Sequence, residues 1–326
     1  MMMEAGLVFD GLLCLGLLWL AWQVVISPGQ FRATVLFMVF GLLMAACWAR
    51  LGTPDLALAE AAIGSGITGA LLLNACKASY TQSQPASETP PGKLYRGACV
   101  VLCLLLSAGL AWLMLPMPGT GGPTADAVTT AQADHFLGNP VTSVLLDYRA
   151  YDTLLEMVVL LLAIMGARIL IHQTHLPSLH PPRQSDPPMV APLVAAATPL
   201  MLLTAFYLFW AGSHSPGGAF QAGALLGALG VMYRLTGRMA ARDHASPLIR
   251  LLLIVGLGLF SLFAVWGLWI DGMPLSYPAV ETLAYGLVLG IEFALMISIA
   301  LTLMLMFSAT PGLAMTRQPG EGGNQS

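Results

Sequence analysis

Charge is what this sequence has least of: 9% of its 326 residues are Asp, Glu, Lys or Arg, against 57% hydrophobic. A soluble domain carries roughly a quarter of its residues charged. A surface this poor in charge needs lipid to cover it. Lysine is almost missing. Lys77 sits at a helix end and Lys93 in a linker, so the chain has no mid-membrane lysine relay of its own. Cys14, Cys47, Cys76, Cys99 and Cys103 fall in or beside apolar runs without the close paired spacing of a zinc, redox or iron–sulfur motif. With a net charge of −3 there is no basic surplus to bind nucleic acid. Before the first apolar run the only charge is Glu4, and no small-residue cleavage site follows it, which argues for a retained first helix over a cleaved signal.

What is there is a series of apolar runs. Read against their breakers they predict an all-α integral membrane protein of about nine spans, near 5–26, 31–50, 55–76, 95–116, 151–172, 190–211, 217–235, 248–270 and 280–308. Three stretches rich in Pro, Gly, Ser and Thr interrupt them, at 79–93, 118–140 and 176–189, and are expected in water. Nine spans put alternate loops on opposite sides. One side then holds eleven of the 13 basic residues and the other only Arg50 and Arg149. By the positive-inside rule the N-terminus lies outside and the C-terminus in the cytoplasm.

Ionisable residues inside such runs stand out, since a lone acid in hydrocarbon costs ~2.5–3.5 kcal/mol on insertion scales. Glu60 lies in LGTPDLALAEAAIGSGITGALLL, where Gly64, Gly66 and Gly69 permit close backbone approach or helix distortion. Asp147, Arg149 and Asp152 gather at the entrance of the fifth span, and Glu156 lies one turn beyond Asp152 on the same face. Capping and helix-dipole roles explain Asp147 and Asp152 as well as an ion path does, but not the deeper Glu156. His214 occupies a polar turn, FWAGSHSPGGAFQAG, in which Pro216, Gly217 and Gly218 allow a sharp re-entry. Glu292, near the middle of the last span, is expected to be neutral unless paired. His172, His175 and His180 are too irregularly spaced to predict a metal site.

Three of these segments resemble one known family. The Glu60 run resembles the three-helix segment near the C-terminus of the large A subunit of Mrp-type monovalent cation/proton antiporters, which also stands alone as a small subunit in membrane-bound hydrogenases. NPVTSVLLDYRAYDTLLEMVVLLLA is similar to the following segment of those proteins, N-V-x-x-x-x-x-D-F/Y-R-x-x-D-T-x-x-E. FYLFWAGSHSPGGAFQAGALLGALGVMYRL resembles the antiporter B subunit with its G-H-x-x-P-G-G-G-F-x-G-G turn. Their order matches, and together they cover most of the chain.

The resemblance implies three modules, 1–80, 81–187 and 188–326, in a subunit of a multisubunit cation (Na+)/proton antiporter. It implies ion-path roles for Glu60, Asp147, Arg149, Asp152 and Glu156, and matches His214, Pro216, Gly217, Gly218 and Phe220 to the B-subunit turn. Here Gly212-Ser213-His214 replaces an adjacent Gly-His, Ala219 the third Gly, and Ala222 the Gly two residues after Phe. Glu292 matches no motif and rests on burial alone. The expected role is transport without enzyme activity or a cofactor, in the cell inner (plasma) membrane. The expected partners are large proton-pumping subunits, small subunits, lipid, H+ and Na+ or another monovalent cation. Two alternatives stand beside it: an ion-translocating subunit of a hydrogenase or Complex I-related redox complex, and a structural scaffold.

Overall fold

The computed structural model describes residues 2–82, 92–116, 122–173, 189–239 and 246–308, and every regular element among them is helical. The long apolar helices are α1 (Met2–Ile26), α2 (Gln30–Arg50), a third run made of α3 (Pro54–Ala59), the π-helix π1 (Glu60–Ile67) and α4 (Thr68–Gln82), then α5 (Lys93–Met114). After the short helix α6 (Pro123–Ala133) come α7 (Pro140–Ser143), the π-turn π2 (Val144–Tyr148), α8 (Ala150–Gln173), α9 (Val190–Ala211), α10 (Ala219–Leu235), α11 (Pro247–Asp271) and α12 (Glu281–Ser308). Eight of the described runs are long and apolar enough to span a bilayer, and α10 is a ninth, shorter apolar helix. An apolar helix is therefore present at each of the nine expected positions, eight of them of span length. The stretch expected as a polar seam at 118–140 contains a helix, α6, started by Pro123 at its first position. His175 and His180 fall outside the described residues.

The chain divides into two compact units, residues 82–135 and the remainder. The first holds α5 and α6. α5 is apolar around its whole circumference, as a span must be, with Tyr95 near its start and Trp112 near its end.

In the second unit α12 is the central helix. Val288, Ile291, Leu295, Met296 and Ile299 are buried on it. α10 lies close against α12 because its contact stripe is glycine. A Cβ added at Gly223 would come 3.0 Å from Ile299 Cβ, and one at Gly227 3.2 Å from Leu303 Cβ. With no hydrophobic drive between helices in lipid, this small-residue packing holds the pair together. α2 meets π1 in the same way, with a Cβ on Gly41 falling 3.0 Å from Ser65 Cβ. At the far end the amide of Asn74 on α4 donates to the Phe307 carbonyl of α12 at 3.4 Å, tying the first segment to the last.

Candidate functional site

α10 is at the short end of the range for a membrane span. Its 17 residues measure about 25 Å at 1.5 Å each, against a hydrocarbon core of about 30 Å. The chain reaches its start by doubling back on α9: the Gly218 N–H donates to the Leu208 carbonyl, one turn before α9 ends, at 2.8 Å. Gly218, with φ of +118°, is the N-cap. Glu292 lies beside it, eleven residues along α12 and so about 16 Å from that helix's first residue. The N-terminus of α10 thus opens inside the membrane, where its first N–H groups need protein acceptors.

Two acids from two different segments supply them. Asp55, in the first turn of α3 and 6% exposed, accepts the Gly217 N–H at 3.0 Å. Its backbone carbonyl also accepts from the Gln221 side chain at 3.3 Å. Glu292, 4% exposed, accepts the Ala219 N–H. Acceptors at this end of a helix also gain from its dipole.

Asn139 closes the node. Its amide reaches the Gly212 carbonyl at 3.1 Å, the Ser215 carbonyl at 3.0 Å and Asp55 Oδ1 at 3.4 Å, while its Oδ1 caps α7 through the Val141 N–H. The Gly138 and Asn139 N–H groups both donate to the Ser213 carbonyl, and Thr142 donates to that of Gly212. Three separate stretches of chain therefore meet at one turn. Ser213, the residue that separates Gly212 from His214, is fully buried, with its hydroxyl 3.2 Å from Tyr285 Oη and 3.1 Å from His214 Nδ1. Of the turn residues singled out from sequence, Gly217 and Gly218 are buried, Phe220 packs against the core, and Pro216 and His214 are exposed.

Glu60 sits apart from this node. The π-helix folds its half-buried side chain back over Gly64, with the carboxylate facing Gly41 of α2, so the acid lies in the α2–π1 seam. π-turns are rare and concentrate at functional sites. A Cβ at Gly64 would overlap Glu60 Oε1 at 2.1 Å. Since that atom ends a flexible side chain, Gly64→Ala is expected to move the carboxylate without unfolding the helix. The yield and thermal melting of the folded protein are expected to stay level with wild type.

The acids of the middle segment separate into two groups. Between π2 and α8 the chain breaks at Arg149 (φ −130°), and the break is stitched by Thr153 donating to the Leu145 carbonyl at 2.6 Å. Beyond it Arg149 pairs with Asp152 at 2.6 Å, and Glu156 continues the same exposed ridge of α8. Before it, half-buried Asp147 turns toward the interior. There Tyr277, from the loop between α11 and α12, donates to the Leu146 carbonyl at 3.1 Å. That loop folds back into the protein: Leu275 is buried at a φ of +63°, and Tyr277 stacks on Phe263 and Phe136 at 4.7 and 5.5 Å. Burial pushes the Tyr277 phenol up, helped by the nearby Asp147 and Glu292 carboxylates, so it stays a neutral donor.

Glu60 makes no ion pair among the described residues, and the Arg149–Asp152–Glu156 ridge faces away from the core. Asp55, Asn139, Gln221 and Tyr277 were not expected from sequence.

Residues 15–79 match the family model of MbhD, a component of MBH, and residues 189–314 match "Domain related to MnhB subunit of Na+/H+ antiporter". Asp55 and Glu60 fall in the first match, the re-entrant turn and Glu292 in the second. The fold is similar to a chain of the solved Mrp complex from Dietzia sp. DQ12-45-1b. The TM-score is 0.72 at 21% identity, over 95% of this chain and 35% of that one. The chain therefore spans about a third of that relative's length. No curated protein matches it.

Proposed function

We propose that this chain, with an MbhD-like segment followed by an MnhB-like domain, is a multi-pass plasma-membrane subunit of an Mrp-type multisubunit Na+/H+ antiporter, working beside other antiporter-like membrane subunits. We divide it at 1–80, 81–187 and 188–326. The observation that carries the reading is the node at the start of α10. The MbhD-like segment (Asp55) and the middle segment (Asn139) both hold the turn that opens the MnhB-like domain. The first segment and the stretch around Asn139 are thus hydrogen-bonded to the MnhB-like domain.

In this reading Glu60, Asp147, Arg149, Asp152, Glu156, His214 and Glu292 serve the ion path. Glu60 lies in a seam that a π-helix holds irregular, a form of backbone suited to lining a path and unsuited to facing lipid. The Arg149–Asp152–Glu156 ridge lies on the outer face of a spanning helix. Bare lipid there would leave the ridge without polar partners, so a neighbouring subunit covers it. Under the orientation given by the charge bias, the node and the ridge open toward the exterior.

The MBH description attaches to the first segment only, and the MnhB domain directs the reading to antiport. The test uses the assembled complex in inverted vesicles. Glu60→Gln and Glu156→Gln are expected to assemble normally and to lose at least tenfold in sodium-driven proton flux. Wild-type flux in both variants would leave the scaffold role as the better account. Co-purification with iron–sulfur or nickel–iron proteins would favour a redox complex.

A further inference from the structure

Glu292 has one oxygen explained and one not. Oε1 lies by Gly218 and the carboxylate accepts the Ala219 N–H, but Oε2 is buried without a hydrogen-bond partner among the described residues. A fully ionised carboxylate in that position would be a buried charge with no cation beside it, one of the costliest arrangements a protein can contain. Among the described residues Glu292 makes no ion pair, and no group of three His, Cys, Asp or Glu is placed to hold a metal ion. The ligand that suits a single orphaned carboxylate oxygen is a proton.

We infer that Glu292 is a proton-binding site of the MnhB-like domain, the proton resting on the buried carboxylate oxygen that has no hydrogen-bond partner among the described residues. The step is simple protonation: water gives up a proton to the carboxylate, and Glu292 ends as a neutral carboxyl. On the loop before α12 and on π2 the titratable groups are Tyr277, held by its stacking on Phe263 and its bond to the Leu146 carbonyl, and Asp147 next to that carbonyl. The neutral carboxyl keeps an oxygen for the Ala219 N–H, while the charged form interacts more strongly with the positive end of α10. Proton uptake therefore loosens the hold of α12 on the re-entrant turn. The other titratable groups around it are Asp55 on the opposite side of the turn, and His214 with Tyr285 near the start of α12.

This deepens the antiporter reading and rests on it for its meaning in transport, but the site itself can be tested separately. Infrared difference spectra of the purified complex between acid and alkaline pH should contain a protonated-carboxyl band that Glu292→Gln removes and Glu60→Gln retains. Glu292→Asp should keep a band and move the pH midpoint of proton flux by roughly one unit. A band that persists in Glu292→Gln overturns the proposal, as does an unchanged pH profile in both Glu292→Gln and Glu292→Asp. Should Glu292→Gln fail to assemble, Glu292→Asp decides alone, and an unmoved midpoint there overturns the proposal. If the band behaves as stated but the wild-type complex exchanges no cation for protons, the site stands and the antiporter reading falls.

Discussion

Replacing Asp55 by alanine is expected to cost about 1–3 kcal/mol, the usual loss when a buried hydrogen-bond donor is left without its acceptor. The argument is local. The Asp55 side chain accepts the Gly217 N–H and lies 3.4 Å from the Asn139 amide, and the residue is 6% exposed. Water cannot readily replace it, because the turn it serves lies within the membrane. Truncation strands the Gly217 N–H and removes one of the bonds that join the first segment to the MnhB-like domain. Asp55→Asn keeps an acceptor oxygen and is expected to recover more than half of the loss. The measurement is thermal melting of the purified protein in detergent, with the folded fraction read on a sizing column. Equal melting of Asp55→Ala and wild type would remove the node from the account of assembly.

Gly212→Ala is expected to be as damaging, for a steric reason. A Cβ there would sit 2.5 Å from Gly218 Cα and 2.6 Å from Gly218 N, both backbone atoms. Overpacking usually costs about 1–3 kcal/mol when side chains can shift, but this backbone cannot. Gly218 is bonded to Leu208, and the Gly212 carbonyl is itself an acceptor for Asn139 and Thr142. The expected result is little or no intact complex. Gly258→Ala on α11 is the control, since nothing lies within 4 Å of the added carbon. It should melt at or slightly above wild type, in line with alanine's better helix propensity.

Much of this molecule is legible without coordinates. Apolar runs of span length, broken by Pro and Gly, are a property of consecutive residues, so the apolar helices among the described residues and their order follow from sequence. So does the distortion at Glu60, because three glycines within ten residues weaken a helix locally. The re-entry at Pro216-Gly217-Gly218 was readable for the same reason, and only its depth was not. Glu156 read as lying one turn deeper than Asp152, and only the structure shows that both belong to the exposed ridge of α8. Which way a residue faces on a nearly all-apolar helix leaves no periodic trace.

What the sequence determined by itself was the class of protein, the places of its apolar helices, their start and stop signals, and the acids that hydrocarbon would not tolerate unaided. What only the tertiary structure decided was which of those acids serve one another. Asp55 and Gly217 are 162 positions apart and Asn139 and Ser215 are 76 apart. Glu292 matched no motif, and it becomes intelligible only with the first N–H groups of α10 beside it. A helix that opens inside a bilayer has to borrow its acceptors from wherever the fold brings them. Nothing in the local chain says where that is.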